Sequence, residues 1–300
     1  MQLAAALTSA LLAAAMPAAA SARAMPAAAP ATPTPTNWQR VGNGSVIDVG
    51  AGWRMPDAAW DSHEIGTMSV VHANGTYHMF YEACAYHGGH PLRALRIGHA
   101  TSKDGITWVK DAQPCLRNGT AGEWDDEAVW DPFVLYDESS GLFQMWYGGQ
   151  AAGFIDIQWG FATSTDGVHW EKFGQISQFD HSSVQQRMND AKAVYDEKSQ
   201  QRWHLYFTYW PTGWGQPDQH LVRVTGTNQT NFDFEHPQRI SIDGMGGGAP
   251  QNASGHMSFS QVVLEGEQWH MFAASKTCAA VRQSTRSTPS LRTKGRAGAV

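Results

Sequence analysis

The chain has 300 residues and a formal net charge of −6 at pH 7, with 42% hydrophobic and 16% charged residues. Residues 276–300 contain six Lys or Arg and no Asp or Glu, so the remainder is more acidic still, which argues against nucleic acid and anionic membranes as partners. The three cysteines are too few for a disulfide scaffold; Cys84 and Cys115 are the one candidate bridge, which leaves Cys278 odd.

The N-terminal 36 residues are predicted to lie outside the folded domain. Residues 3–20 are almost wholly Ala, Leu and Met and precede an AxA-like cleavage site at 20–22, so residues 1–22 indicate a secretory signal peptide, with a membrane anchor as the alternative. Residues 23–36 are rich in Pro, Ala and Thr and predict a disordered linker. We therefore expect a secreted, extracellular protein with no membrane contact after signal cleavage. Its N-x-[ST] sequons fit a glycoprotein and lie at Asn43, Asn74, Asn118, Asn228 and Asn252.

A seven-residue phrase, SxDGxxW, occurs at residues 102–108 and again at 164–170, each time after a strand-like run. Asp followed by Gly suits a tight turn, because Gly supplies positive φ and the Asp side chain accepts hydrogen bonds from nearby backbone amides. We interpret Asp104 and Asp166 as structural markers of a repeat rather than catalytic groups.

The repeat extends beyond this phrase, with copies that start at Trp60, Trp124, Asn189 and His256. Each copy reads as a buried strand, a turn and an aromatic-rich strand, and the first two copies add a third strand, the SxDGxxW turn and a fourth strand. Short antiparallel strands at this period predict an all-β, five-bladed β-propeller over residues 37–275, with about four blades recognisable and the last incomplete. Residues 276–300 predict a basic disordered tail or the end of a truncated gene product.

Equivalent positions of a propeller's innermost strands converge on one pocket. The repeat alignment puts Thr67, Asp131, Asp190 and Ser258 at such positions, with Trp130 beside them. Two carboxylates that face each other across a pocket are what glycosidic bond cleavage needs, because one protonates the leaving oxygen and the other activates water or attacks the anomeric carbon.

The WDP phrase at 130–132, the MWYGG phrase at 145–149 and the SxDGxxW turns resemble the five-bladed propeller glycoside hydrolases, the superfamily of families 43, 32, 62, 68 and 130. The resemblance covers about residues 38–275. It implies an Asp from the first blade, an Asp from the second and a Glu from the third as the functional carboxylates. It also implies that a structural calcium ion in the central channel is compatible with the fold, although no zinc or other metal spacing occurs in the sequence.

Only the second-blade carboxylate matches this pattern cleanly. Asp131 falls on the second-blade Asp, which orients its partners or tunes the pKa of the acid. Thr67 stands where the first-blade Asp is expected, so we look to Asp61 or Glu64 for a base, and Asp190 stands in place of the third-blade Glu. The predicted catalytic set is therefore Asp131, Asp190, Glu64 and Asp61.

Other polar and aromatic residues near the strand starts are candidates for binding sugar. Aromatic faces pack on sugar rings, and His and Glu side chains bind hydroxyl groups. The predicted substrate-binding residues are Trp130, Trp60, His63, Glu127, Trp159 and His256, and Glu82 is a further candidate at the pocket edge.

These patterns predict a secreted glycoside hydrolase-like protein that acts on a poly- or oligosaccharide without a cofactor. A non-catalytic carbohydrate-binding propeller is the alternative, and Thr67 in place of an Asp favours it. The SxDGxxW phrase also resembles the Asp box of sialidases, but those enzymes need an arginine cluster, and Arg is sparse near the strand starts.

Overall fold

The structure is a computed structural model in which eight stretches of the chain can be described. They are residues 44–52, 59–85, 95–152, 157–176, 188–209, 220–240, 257–275 and 292–293. Within them the regular structure is entirely β-strand, as the all-β prediction requires. A helix of the length and apolarity needed to cross a membrane is not found in these stretches.

The first two sheets have the same plan of four antiparallel strands in chain order, as the first two sequence repeats predict. The strands of the first sheet are β1 (Glu64–Ala73), β2 (Thr76–Cys84), β3 (Arg96–Ser102) and β4 (Val109–Lys110). The strands of the second sheet are β5 (Ala128–Asp137), β6 (Leu142–Gln150), β7 (Gln158–Ser164) and β8 (Glu171–Gln175).

The third and fourth repeats also form sheets. The third is antiparallel and contains β9 (Met188–Tyr195), β10 (Trp203–Tyr209), β11 (His220–Gly226) and β12 (Gln238–Ile240). The fourth contains β13 (Met257–Glu265), β14 (Gln268–Ser275) and β15 (Arg292–Thr293), with β15 parallel to β14. The predicted signal peptide, linker and most of the basic tail lie outside the described residues.

The first strand of each sheet lies at one sheet edge, and these edge strands are neighbours. β1 packs beside β5, β5 beside β9, and β9 beside β13. This is a propeller-like arrangement, in which the first strands of successive sheets line a common side. The number of blades and the closure of the ring stay predictions.

Aromatic side chains fill the space between successive sheets. Trp146 and Phe133 of the second sheet are buried against Trp203 of the third, with ring centroids of Trp146 and Trp203 5.5 Å apart. Phe80 of the first sheet meets Trp170 of the second SxDGxxW phrase edge to face at 5.5 Å. The aromatic-rich second strands of the repeats are therefore the packing layer that holds neighbouring sheets together.

Each SxDGxxW phrase forms the same self-bonded turn. In the first, Asp104 Oδ1 accepts the backbone N–H groups of Ile106 and Thr107 at 2.8 and 2.7 Å, and the Trp108 indole N–H donates to the Gly105 carbonyl at 3.2 Å. The second copy repeats these contacts around Asp166. Because the Asp oxygens bond within their own turn, the geometry supports a structural interpretation of both residues.

Replacing Gly105 by alanine is expected to lower the free energy of unfolding by about 1 kcal/mol. Gly105 has a φ of 71°, which a residue with a Cβ adopts at a cost, whereas the nearest atom to an added methyl group is 3.9 Å away. Urea denaturation measures the loss. Gly44→Ala is the matched control, since a methyl group there meets nothing within 4 Å and φ is not positive; equal effects of the two changes would contradict the explanation.

Each of the first two sheets also has an equivalent ion pair with a buried aspartate. Lys110 Nζ lies 2.5 Å from Asp61 Oδ2, and Lys172 Nζ lies 2.7 Å from Asp125 Oδ2. Each lysine follows the tryptophan of an SxDGxxW phrase by two residues, and each aspartate follows the tryptophan that starts a repeat. The pairs therefore tie the last strand of a sheet to the segment that leads into its first strand.

The two described cysteines are free thiols, so the candidate bridge between Cys84 and Cys115 is absent from this structure. The Cys84 side chain packs in an apolar cluster with Trp130 and Leu95, whereas Cys115 lies near a different cluster and donates its S–H to the Ile97 carbonyl at 3.4 Å. Burial raises the pKa of the Cys84 thiol to about 11, which makes it a poor nucleophile.

Candidate active site

The first strand of each sheet is interrupted by an irregularity at the position that the repeat alignment selects. The pairing register shifts between Ile65 and Met68 in β1, and between Trp130 and Phe133 in β5. In β9 the shift falls between residues 189 and 192. These β-bulges turn Thr67, Asp131 and Asp190 out of the regular strand alternation, which is how bulges re-aim side chains next to functional sites.

The two aspartates at the bulges have left-handed backbone conformations. Asp131 has a φ of 46° and Asp190 a φ of 58°. Both side chains are buried, at 2% and 4% exposure. A left-handed non-Gly residue is uncommon and costs free energy, and Asp is among the few residue types that tolerate it. The fold therefore accepts backbone strain at the same two places where it buries a carboxylate.

Hydrogen bonds join these positions across three sheets. The Thr67 hydroxyl oxygen lies 2.8 Å from Glu82 Oε2 and 2.8 Å from Asp131 Oδ1. The Asp131 backbone N–H donates to Glu82 Oε2 at 2.9 Å, and the Asp190 backbone N–H lies 3.4 Å from Asp131 Oδ2. Asp131 is thus the centre of a polar chain that starts on β2 and ends on β9.

Glu82 can reach Asp131 because the first two repeats differ in residue size at two equivalent positions. Gly66 precedes Thr67 as Trp130 precedes Asp131, and Glu82 follows a buried Tyr as Gly148 does. A methyl group on Gly66 would overlap the Glu82 carboxyl, whereas one on Gly148 would lie 3.0 Å from the Trp130 indole nitrogen. The Glu82 carboxyl in the first sheet therefore takes the place that the Trp130 ring has in the second.

Burial and neighbouring charges shift the pKa values of two side chains in this cluster, Glu82 and Lys192. Desolvation and the nearby Asp131 raise the pKa of Glu82 to about 7, against the lowering effect of its hydrogen bonds. Lys192, two residues after Asp190 on β9, is almost fully buried, and its ammonium lies 5.6 Å from the centre of the Phe133 ring. Burial lowers the pKa of Lys192, while the charges of Asp131, Asp190 and Glu82 act to raise it.

The other two predicted catalytic residues lie elsewhere. Asp61 is 5% exposed and is held in the ion pair with Lys110 that has its counterpart at Asp125. Glu64 is exposed at the start of β1, and its charge is one cause of the raised pKa of Cys84. The structure does not bring either residue into contact with Asp131, and their catalytic roles stay predictions.

Three predicted sugar-binding tryptophans are placed by the structure, and each packs against protein. Trp60 stacks on Tyr81 with centroids 6.0 Å apart, and the equivalent Trp124 packs against Tyr147 in a tilted arrangement at 5.5 Å. Trp159 is fully buried in the core between the second and third sheets. Trp130 is 6% exposed and directly precedes Asp131, so it is the one of the three predicted residues that borders the carboxylates.

Of the remaining predicted sugar-binding residues, His63 and Glu127 form hydrogen bonds through their backbone atoms, and His256 is not placed. His63 donates its backbone N–H to the Cys84 carbonyl at 2.9 Å. The Glu127 carbonyl accepts a hydrogen bond from Arg96 at 3.2 Å. His256 lies outside the described residues, and in the fourth sheet, where Ser258 is predicted to join the set, the register shift falls between Phe259 and Gln261.

Glu82 was only a minor candidate from the sequence, and Lys192 was not among the predicted residues. A charged residue inside the otherwise apolar AKAVY run of β9 was the available signal for Lys192. Within the described stretches, no group of three or more His, Cys, Asp or Glu could hold a metal ion. The cluster as it stands can donate and accept protons and can bind hydroxyl groups.

Comparisons with known proteins give an oligomannan phosphorylase and an uncharacterized protein among the sequence relatives. No family model matches the chain. It is 28% identical over 127 residues to a 1,2-beta-oligomannan phosphorylase of Thermoanaerobacter, a match that covers 41% of this chain and 42% of the relative. It is 29% identical over 190 residues to an uncharacterized protein of Mycobacterium tuberculosis, covering 59% of the chain and 60% of that protein. The chain therefore spans about half of the length of these relatives.

The fold has matches among solved structures. A family 117 glycoside hydrolase, Zg3597 of Zobellia galactanivorans, superposes with a TM-score of 0.51 at 13% identity, over 74% of this chain and 69% of that one. At this identity the match shows the shared fold alone. Together with the sequence relatives, it confirms the predicted resemblance: the chain is similar to the propeller-type glycoside hydrolases in fold and to an oligomannan phosphorylase in sequence.

Proposed function

We propose that this chain is a secreted, carbohydrate-active enzyme that cleaves glycosidic bonds at the cluster formed by Asp131, Asp190 and Glu82. The observation that carries the proposal is the buried polar chain in which Thr67 and Glu82 contact Asp131 across the boundary between two sheets. Burying carboxylates close together costs free energy, and such groups cluster at functional sites; desolvation and the Asp131 charge raise the pKa of Glu82 to about 7. Similarity to an oligomannan phosphorylase supports a sugar substrate.

The proposed mechanism divides the work between carboxyl groups. One carboxyl protonates the glycosidic oxygen as the bond to the anomeric carbon breaks, and a carboxylate assists the attacking group on the other side. Asp131 is the central member because its side chain contacts both Thr67 and the backbone of Asp190. The attacking group is water in a hydrolase and inorganic phosphate in a phosphorylase, and the proposal covers both.

The purified chain is expected to release product from a panel of aryl glycosides and β-1,2-linked mannose oligosaccharides. The panel is run with and without inorganic phosphate, and chromatography detects free sugar or sugar phosphate. Asp131→Asn and Asp190→Asn serve as blanks, because asparagine preserves the side-chain shape without the charge. Equal turnover by the wild type and both variants, or turnover by none of the three, would contradict the proposal.

A non-catalytic carbohydrate-binding function is the second candidate. The observation that favours it is the 2% exposure of Asp131, whose oxygens face Thr67 and the backbone of Asp190 rather than open solvent. Isothermal titration calorimetry against the same oligosaccharides distinguishes the two functions. Binding without product release supports this candidate, whereas release of a monosaccharide excludes it.

Secretion is supported by residues 1–22, which lie outside the described residues, and by the positions of two sequons. Asn74 and Asn228 are exposed in turns of the structure. Glycans are accommodated at such positions without disturbing strand pairing.

A further inference from the structure

The Thr67 hydroxyl has more hydrogen-bond partners than it has protons. Its oxygen lies 2.8 Å from Glu82 Oε2 and 2.8 Å from Asp131 Oδ1, and both distances are those of real hydrogen bonds. A hydroxyl group donates one proton, and an ionised carboxylate only accepts. If both carboxyl groups were ionised, one of the two contacts would join two oxygen atoms with no proton between them. The chain of three oxygens therefore needs a second proton, carried by a carboxyl group.

Two further contacts define the position of the Glu82 carboxyl. Its oxygen lies over Gly66, and Glu82 Oε2 also accepts the Asp131 backbone N–H at 2.9 Å. The same residue, Asp131, thus donates to Glu82 through its backbone and contacts Thr67 through its side chain. We propose that Glu82 and Asp131 share one proton through the Thr67 hydroxyl, so that Glu82 is a positioning residue that sets the charge of Asp131.

The proton moves without net change in the cluster. When the Glu82 Oε2–H bond breaks, its proton forms a bond to Thr67 Oγ, and the original Thr67 hydroxyl proton forms a bond to Asp131 Oδ1. Glu82 becomes the carboxylate and Asp131 the acid, with Thr67 unchanged. The catalytic meaning of this step rests on the proposed function. If that function holds, Asp131 can give its proton to a leaving oxygen and receive a replacement along the same path.

The groups around the pair make the shared proton available near neutral pH. Asp131 faces Glu82 from β5, Lys192 faces both from β9, and Cys84 is on the same strand as Glu82. Desolvation and the Asp131 charge raise the pKa of Glu82 to about 7. Glu82 is therefore protonated below about pH 7 and loses its proton as the pH rises further.

The test is a pH titration of ¹³C-labelled glutamate side chains by NMR, with the Glu82 signal assigned by its absence in Glu82→Gln. The wild type should titrate near pH 7. Thr67→Val removes the bridging hydroxyl and should shift this midpoint down by about one pKa unit, since the singly protonated pair loses its bridge. Thr67→Ser retains the hydroxyl and should keep the midpoint. Circular dichroism verifies that all the variants are folded.

The direction in which the Glu82 midpoint moves in Thr67→Val distinguishes a shared proton from a simple hydrogen bond donated by the Thr67 hydroxyl. If Thr67 only donates to an ionised Glu82, its loss raises the midpoint, and the proposal is overturned. An ordinary glutamate midpoint in the wild type overturns it too. A downward shift in Thr67→Val supports the shared proton even if no variant cleaves any sugar, in which case only the proposed function fails. If the enzyme is active, the alkaline limb of kcat/KM should shift with the NMR midpoint.

Discussion

Asp131→Asn is expected to reduce kcat/KM for the cleaved glycoside about 10³-fold, the range of a lost acid–base group. Asparagine tolerates the left-handed backbone that Asp131 has, at a φ of 46°. Its amide oxygen can still accept the Thr67 hydroxyl, so the fold and sugar binding should survive. The change therefore abolishes mainly the ability of the side chain at position 131 to gain and lose a proton. Steady-state kinetics with a purified variant measures the loss.

The control for this prediction is Asp104→Asn, in the first SxDGxxW turn. Asp104 bonds backbone amides within its own turn and should be replaceable with full activity. Retention of more than about a tenth of the wild-type kcat/KM by Asp131→Asn would fall outside the range for an acid–base group and remove Asp131 from the proposed mechanism.

Lys110→Met should lower the free energy of unfolding by about 3 kcal/mol. The change leaves Asp61, at 5% side-chain exposure, as a buried carboxylate without the ammonium 2.5 Å away. Removing one member of a buried ion pair costs more than the pair is worth, because the remaining charge stays desolvated. Denaturant unfolding, followed by tryptophan fluorescence, measures the loss.

The double variant Asp61→Asn with Lys110→Met should regain most of this stability, since no unpaired charge remains. Lys103→Met is the surface control, and a change below about 0.5 kcal/mol is expected there. Full activity of the double variant on a cleaved glycoside would exclude Asp61 as a catalytic base. A loss of activity with normal stability would instead support the role that the sequence predicts for it.

The repeat carried most of what the sequence predicts about the fold. It predicts the four-stranded sheets and the neighbouring first strands, because strand alternation and turn chemistry are local properties of the chain. It predicts the positions of Thr67, Asp131 and Asp190 for the same reason. What it cannot supply is the left-handed conformation at the bulges, which depends on pairing with a strand further along the chain.

The site is less predictable because its contacts join residues on different sheets. Glu82 was a minor candidate at the end of the second strand, and it has no counterpart in the second repeat, where Gly148 stands. Asp61 was chosen because it lies near Thr67, where the first-blade Asp is expected, yet the structure holds it in an ion pair with a lysine that recurs at Asp125. Repetition thus identifies residues that the architecture needs, and the residues that make one sheet different from its neighbours are found where repetition fails.

The first sheet has a small residue at Gly66 and a large one at Glu82, whereas the second sheet has the reverse, Trp130 and Gly148. This difference constrains how the site can change during evolution. A methyl group added at Gly66 would overlap the Glu82 carboxyl, and one added at Gly148 would crowd the Trp130 indole nitrogen at 3.0 Å. Among homologous chains, residue sizes at the two positions should be inversely correlated within each sheet. A side chain at position 66 and the Glu82 carboxyl therefore exclude each other, so the acidic form of the first sheet requires glycine at position 66.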